Sequence, residues 1–139
     1  MAKIPTPVTN AMLICDSVVV ESKTEKKSLI GIFENIRVAK FPCTHGSLTV
    51  YIKLTNAHGG YKFVLNLVDL DDNVVIGGGK LPQEINVPSP LNTHDLIFNL
   101  LGLKFKHPGK YEFQLFANDK IIGQKTFLVD EIEAPSQGE

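Results

Sequence analysis

The sequence has almost no net charge and no long apolar run. Its 139 residues include 14 lysines and arginines against 15 aspartates and glutamates. Without a basic field to hold a phosphate backbone, we predict no nucleic-acid partner. No apolar run approaches the roughly 18–20 residues that a membrane-spanning helix needs. Pro5 and Pro7 interrupt the N-terminus before the apolar core of a signal peptide, so we predict a cytoplasmic protein without a membrane partner.

The composition is that of a folded domain. It is 43% hydrophobic and 21% charged, so the chain can bury a core and is not expected to be disordered. Its length falls within the usual span of one domain. We predict a single domain at 10–129, with an extended lead-in at 1–9 and an acidic flexible tail at 130–139.

Much of the chain alternates between apolar and polar residues, which is typical of half-buried strands. In segment 47–55, for example, Leu48, Val50 and Ile52 are predicted to face inward. Turns rich in Gly, Pro, Asn and Asp separate such segments. The predicted strands cover 11–20, 29–38, 47–55, 61–70, 74–76, 93–105 and the hairpin 108–129. This pattern predicts an all-β fold, an immunoglobulin-like antiparallel β-sandwich of seven to eight strands.

Two of the segments allow more than one interpretation. Segment 93–105 could place Leu96, Leu100 and Leu103 on one helical face, but its β-rich context favours a strand. Segment 81–91 contains three prolines, which cannot donate to a central ladder. We therefore predict an edge strand or a covering loop there.

The segment 108–129 is predicted to form a β-hairpin near the end of the sandwich. Asn118 and Asp119 supply the turn, since both tolerate left-handed backbone angles. Simple pairing across a two-residue turn would put polar residues of the second strand opposite the inward residues of the first. Phe127 has the character of a core residue, and it faces inward only if the pairing of the two strands shifts by one residue. We therefore predict a β-bulge near Gly123.

A glycine, Gly109, precedes Tyr111 by two residues where the hairpin begins. In immunoglobulin-like sandwiches a tyrosine at such a corner bonds through its hydroxyl to upstream main chain. We predict such a corner, which would tether the loop 106–109; the alternative is an ordinary core tyrosine. No cysteine follows Tyr111 and tryptophan is absent, so the usual inter-sheet bridge is missing. We predict that Cys15 and Cys43 are reduced thiols, although a bridge between them stays open.

The candidate chemical groups are sparse. Asp71 and Asp72 lie in an acidic turn, 69–73, whose oxygens suit calcium, but hairpin turns prefer such residues for backbone reasons. The segment 77–80, Gly-Gly-Gly-Lys, lacks the frame of a phosphate loop. Four histidines fall in predicted loops or at strand ends, where they could bind zinc with Cys43, although no pair has metal-ligand spacing: His45, His58, His94 and His107. We predict no enzyme, no cofactor and no metal.

The apolar residues on outward strand positions suggest an interface. By alternation Tyr51 and Phe116 face outward, and Val64 and Val68 are candidates for the same role. A sheet that is apolar on both faces is commonly covered by another subunit or partner. We predict a protein partner or self-association through Tyr51 and Phe116. The alternative is that segment 81–91 folds over this face within the chain.

Several short motifs occur in a particular order along the chain. They are Cys15-Asp16-Ser17-Val18, Leu29-Ile30-Gly31-Ile32-Phe33-Glu34-Asn35-Ile36, Phe41-Pro42, Gly109-Lys110-Tyr111-Glu112-Phe113 and Ile122-Gly123. In this order, over about residues 10–129, the chain resembles a family of uncharacterised bacterial proteins. The resemblance implies a small cytoplasmic β-sandwich. It implies no function and supplies no catalytic residues.

The function favoured by these patterns is a non-enzymatic binding or assembly module that acts through a sheet face or an edge strand. The alternative is a metal- or small-ligand-binding sandwich that uses loop histidines and carboxylates. A carbohydrate-binding sandwich is less favoured, because such sites usually present exposed aromatic platforms and tryptophan is absent.

Overall fold

The structure, a computed structural model, describes residues 4–81 and 83–132. In these residues the regular secondary structure is entirely β. The twelve strands are β1 (Val8–Cys15), β2 (Ser17–Val20), β3 (Lys27–Ile30), β4 (Asn35–Val38), β5 (Cys43–Thr55), β6 (Gly59–Tyr61), β7 (Phe63–Asp69), β8 (Val74–Lys80), β9 (Ile85–Val87), β10 (His94–Phe105), β11 (Gly109–Ala117) and β12 (Lys120–Glu131).

Two sheets face each other across a common core. The smaller sheet has the strand order β1-β5-β10, and the larger has the order β4-β12-β11-β7-β8. Neighbouring strands are antiparallel except for β4, which runs parallel to β12. The pairs β2-β3 and β6-β9 form two separate two-stranded sheets. The chain is therefore an immunoglobulin-like antiparallel β-sandwich, as predicted.

The core lies between the two main sheets because both present alternate apolar side chains to it. Val50 and Ile52 of β5 are fully buried on one side, and Phe113 and Leu115 of β11 are fully buried on the other. The rings of Phe113 and Phe127 stack with their centroids 5.2 Å apart. Each such buried side chain contributes roughly 1.5–3 kcal/mol to stability.

The first two predicted strands are each divided in the structure. Segment 11–20 divides into β1 and β2 at Asp16, and segment 29–38 divides into β3 and β4. The backbone N–H of Asp16 donates to the carbonyl oxygen of Ile30 at 2.9 Å, and Gly31 has a φ of +70°. The predictions of continuous strands were wrong, because the apolar pattern continues where the chain leaves one sheet for another. A Cβ at Gly31 would collide with the carboxylate of Asp16.

The hairpin of β11 and β12 has the predicted turn and bulge. Asn118 and Asp119 have φ values of 48° and 69°. The register between the strands shifts by one residue, with Ile122 as the extra residue beside Gly123. The predicted bulge near Gly123 is confirmed.

The two ambiguous segments have different outcomes. Segment 93–105 contains the long strand β10, which pairs with β5 along its length, so the strand interpretation is confirmed. Segment 81–91 contributes the short strand β9, which pairs with β6. Its Pro82 lies outside the described residues.

Near the termini, the main sheets extend slightly beyond the predicted domain bounds of 10–129. Strand β1 begins at Val8, and β12 continues to Glu131. Of the predicted lead-in and tail, residues 1–3 and 133–139 lie outside the described residues.

Candidate functional site

The predicted tyrosine corner is present at the start of β11. The hydroxyl of Tyr111 donates to the backbone carbonyl of His107 at 2.6 Å. Burial raises the pKa of Tyr111 to about 12. Gly109 has a φ of +150°, and a Cβ there would collide with the carboxylate of Asp71. The corner thereby fixes the loop that carries His107 against the turn between β7 and β8.

The ring of His107 is surrounded by oxygen atoms. Its Nε2 lies 2.7 Å from Asp69 Oδ2 and 3.6 Å from Asp72 Oδ2. Its Nδ1 lies 2.8 Å from the carbonyl oxygen of Pro108 and 3.7 Å from Asp71 Oδ2. The Pro108 carbonyl, followed by the Asp69 carboxylate, raises the pKa of His107.

Asp69 is the buried member of this cluster, with 4% of its surface exposed. It ends β7, and its Oδ1 accepts hydrogen bonds from the backbone N–H groups of Asp71 at 3.0 Å and Asp72 at 3.4 Å. From the sequence, Asp69 was predicted to begin the acidic turn 69–73, whose oxygens suit calcium. Asp69 follows Leu67 by two residues, so the alternation along β7 directs both side chains inward. This spacing was the signal in the sequence that the carboxylate is buried.

A groove of about 330 Å³ adjoins the cluster at the open side of the sandwich. Val74 and Ile76 of β8 line it, as do Lys104 and Lys106 near the end of β10. The groove therefore combines apolar side chains, two cations and the carboxylates of Asp69 and Asp72.

Strand β8 forms an edge of the larger sheet. In the part of the chain that the structure describes, it pairs only with β7. Val75 is 60% exposed, and Val74 and Ile76 are exposed as well. The glycines at 77–79 continue the strand as far as Lys80. Because edge strands offer unpaired backbone groups, this apolar strand can accept another strand.

Tyr51, one of the two predicted interface residues, is covered. It is only 7% exposed, and its hydroxyl donates to Asp95 Oδ1 at 2.9 Å. Asp95 also pairs with Lys27 of β3 at 2.8 Å, and β2 packs against β5. The predicted exposure of Tyr51 was therefore wrong. The β2-β3 ribbon lies at this face, whereas segment 81–91 was the predicted alternative for covering it within the chain.

Phe116, the other predicted interface residue, is half-buried on the outer face of the larger sheet. It lies opposite Val64 on one side and the exposed Ile121 on the other. Further along this face, Glu112 accepts hydrogen bonds from Gln114, Gln124 and Thr126. The outer face is thus apolar at the end that carries Phe116 and also where Val68 of β7 pairs with Val75 of β8.

In the described residues, Cys43 and the other three histidines do not join the cluster around His107. In residues 4–81 and 83–132, three metal-ligating side chains have ligand atoms within 4.8 Å of one another. They are Asp69, Asp72 and His107. His45 packs at 6.1 Å between ring centroids from Phe33, and its Nε2 is buried without a partner among the described atoms. Cys43 is half-buried and, like Cys15, is a free thiol. The fold thus brings one of the four histidines, His107, together with Asp69 and Asp72 of the acidic turn.

The fold defines a small immunoglobulin-like β-sandwich domain. Over residues 10–130 the chain matches the family of unknown function DUF6941, and it belongs to that family. No curated protein matches it significantly in sequence. No helix in the described residues is long and apolar enough to cross a bilayer.

Solved structures share the fold at low sequence identity. The alkylpurine DNA glycosylase AlkC of Pseudomonas fluorescens, bound to DNA containing an abasic site analog, is 11% identical with a TM-score of 0.55. The match covers 92% of this chain and 31% of that protein, so the chain spans about a third of the glycosylase. An immunoglobulin-like protein of Pseudomonas aeruginosa is 16% identical, with a TM-score of 0.44 and coverage of 92% and 99%. At these identities the similarity concerns the fold alone.

Proposed function

We propose that this domain is a non-enzymatic assembly module that pairs the free edge of β8 with the same strand of a second copy. The observation that carries the proposal is the exposed apolar start of β8, Val74 to Ile76, on a strand with one neighbour in the described chain. Edge strands are commonly protected by charge, proline or a covering element. Within β8 the only such residue is Lys80.

The sequence of β8 is self-complementary in an antiparallel arrangement. If two copies pair about Gly77, Val75 of one copy lies opposite Gly79 of the other, and Ile76 lies opposite Gly78. Val75 and Ile76 then each meet a residue without a side chain, which allows close approach, and Val74 lies opposite Lys80. A two-fold axis through the pair gives a closed dimer, because each copy contributes the same surface.

The charges at the two ends of β8 also favour this pairing. Lys80 ends the strand, and Asp72 precedes its first residue by two positions with a side chain that is 67% exposed. In the arrangement about Gly77, Lys80 of one copy is the diagonal neighbour of Asp72 of the other. Opposite charges at such positions stabilise a strand pair by roughly 0.2–1 kcal/mol. The dimer would contain two of these pairs.

We expect this module to act in the bacterial cytoplasm. The half-buried free thiol Cys43 and the buried free thiol Cys15 suit a reducing compartment. The low net charge supports a protein partner over a nucleic-acid partner.

Light scattering coupled to size exclusion tests the proposal. The wild type is expected to be a dimer, and Val75→Lys is expected to be a folded monomer because a lysine at the edge opposes pairing. Val19→Lys is the matched control, since Val19 is an exposed strand valine of β2 at 50% exposure and its variant should remain dimeric. A wild type that stays monomeric at high concentration would overturn the proposal.

Phe116→Glu separates the edge from the sheet face. A dimer that forms through β8 should persist in this variant, because Phe116 lies on β11, two strands away from the edge. A dimer that is lost in Phe116→Glu but kept in Val75→Lys would place the interface on the outer face and overturn the proposal for β8. Circular dichroism of each variant confirms that the fold is retained.

A further inference from the structure

The carboxylates of Asp69 and Asp72 and the imidazole of His107 come together from two separate segments. Asp69 ends β7, Asp72 lies in the turn that follows, and His107 lies in the loop between β10 and β11. One ligand atom from each lies within 4.8 Å of the other two. The tyrosine corner sets the position of His107, since its carbonyl accepts the hydroxyl of Tyr111 at 2.6 Å.

The two ring nitrogens of His107 face different oxygen atoms. The carbonyl oxygen of Pro108, 2.8 Å from Nδ1, can only accept a hydrogen bond. In the tautomer that satisfies this carbonyl, Nδ1 carries the hydrogen atom and donates to it. In a neutral ring, Nε2 then has a lone pair directed at Asp69 Oδ2, 2.7 Å away, and towards Asp72 Oδ2, 3.6 Å away.

A lone pair that faces two carboxylate oxygens is repelled unless a positive group lies between them. This group is either a proton on Nε2 or a metal ion that replaces it. Histidines that bind metals usually donate their second ring N–H to a carbonyl or carboxylate, which fixes the ring orientation. The bond from Nδ1 of His107 to Pro108 has this form. It leaves Nε2 as the ring nitrogen that faces the carboxylates of Asp69 and Asp72.

The carboxylate of Asp69 is oriented in the same way. Its Oδ1 accepts from the backbone N–H groups of Asp71 and Asp72, which leaves Oδ2 directed at His107. Such support of a ligand by neighbouring hydrogen bonds is common at metal sites.

We propose that Asp69 Oδ2, Asp72 Oδ2 and His107 Nε2 bind one divalent cation of the zinc type. One nitrogen and two oxygens form a donor set that Zn²⁺ accepts, whereas Ca²⁺ takes six to eight oxygens. Water from the adjoining groove completes the coordination. This site shares Asp72 with the proposed pairing of β8, and Val75→Lys, which leaves the three ligands in place, separates a failure of the pairing from a failure of the site.

The geometry requires a small adjustment on binding. Zinc bond lengths place neighbouring ligand atoms of a tetrahedral site roughly 3.3 Å apart. The separation of 3.6 Å between His107 Nε2 and Asp72 Oδ2 is close to this value. The separation of 2.7 Å to Asp69 Oδ2 must widen by roughly 0.6 Å as the metal replaces the proton. Asp71, whose Oδ2 lies 3.7 Å from Nδ1, adds negative charge nearby.

Isothermal titration of Zn²⁺ into chelator-treated protein tests the proposal. The wild type is expected to bind one Zn²⁺ per chain. Asp72→Asn removes a charged ligand from an exposed position without disturbing the core, and it should weaken binding by roughly tenfold or more. Asp119→Asn is the matched control, because Asp119 is an exposed aspartate in the turn between β11 and β12, and its variant should bind like the wild type.

A second measurement reports on the ligand atom itself. In nitrogen NMR spectra of the histidine rings, Zn²⁺ should shift the Nε2 signal of His107 and leave its Nδ1–H in place. Absence of stoichiometric Zn²⁺ binding would overturn the proposal and leave His107 and Asp69 as an ion pair alone. Equal affinity of the wild type and Asp72→Asn, or binding of Ca²⁺ but not Zn²⁺, would overturn it as well.

Discussion

The carboxylate of Asp16 lies against the Cα of Gly31, in the space that a Cβ atom at this glycine would occupy. The backbone N–H of Asp16 also donates to the carbonyl oxygens of Ile30 at 2.9 Å and of Gly31 at 3.1 Å. These contacts join the point where the chain leaves β1 for the β2-β3 ribbon to the point where it leaves β3 towards β4. The same two residues belong to the motifs through which the chain resembles its family.

Gly31→Ala is expected to destabilise the protein. The substitution places a Cβ against Asp16 at a φ of +70°, and a non-glycine residue in that backbone conformation costs roughly 1–3 kcal/mol. Urea unfolding of the variant and the wild type measures the difference in the free energy of unfolding.

Two other glycines separate the causes of this effect. A Cβ at Gly46 meets no atom within 4 Å, so Gly46→Ala should change stability by less than roughly 0.5 kcal/mol. Gly102 has a φ of +62° with open space around it, so Gly102→Ala reports the backbone strain without a collision. A Gly31→Ala protein as stable as Gly46→Ala would contradict the prediction.

Local patterns in the sequence were sufficient for the strands of the sandwich and for the hairpin of β11 and β12. The bulge at Ile122 followed from the conflict between a two-residue turn and the buried Phe127. The corner at Tyr111 followed from its spacing to Gly109. Each of these features depends on neighbouring residues in the chain, so a period of two and turn chemistry predict it.

The features that the sequence did not predict depend on contacts between distant segments. The breaks at Asp16 and Gly31 interrupt apolar runs that are continuous in sequence, and each break depends on the other. Tyr51 is covered where its hydroxyl meets Asp95 and Asp95 pairs with Lys27, and both residues are distant from Tyr51 in the sequence. The convergence of Asp69 with His107 depends on the order of the strands, which the sequence left open.

Tyr111→Phe is expected to reduce stability by about 1 kcal/mol, because it removes a buried hydrogen bond and leaves the carbonyl of His107 without its donor. The aromatic ring keeps its packing against Phe105 and Phe127, so the fold should be retained. Chemical unfolding measures the loss. Lys110→Gln, at an exposed position of the same strand, serves as the comparison and should change stability less. A Tyr111→Phe protein that is as stable as the wild type would show that the corner does not stabilise the fold.

The two cysteines are expected to react at different rates with a thiol reagent. Burial raises the pKa of both thiols, so both should react more slowly than free cysteine, since the thiolate is the reactive form. Cys15 is fully buried and Cys43 is half-buried. In native protein we therefore expect slow labelling of Cys43, with Cys15 labelled only after unfolding. Cys43→Ser should abolish the native reaction; if it does not, Cys15 is accessible in the folded protein.

The stability of the metal-free protein is expected to fall as the pH rises through the pKa of His107. The Pro108 carbonyl and then the Asp69 carboxylate raise this pKa in the folded state, whereas the unfolded chain titrates near the ordinary value of about 6.5. Between the two values the folded state binds more protons, so the free energy of unfolding decreases with pH. The contribution is fully present below the unfolded pKa and is lost above the folded one. Urea unfolding in the presence of a chelator, from about pH 5.5 to 8.5, measures this slope. His107→Gln should remove that part of the slope; the same slope in the variant would assign it to another group.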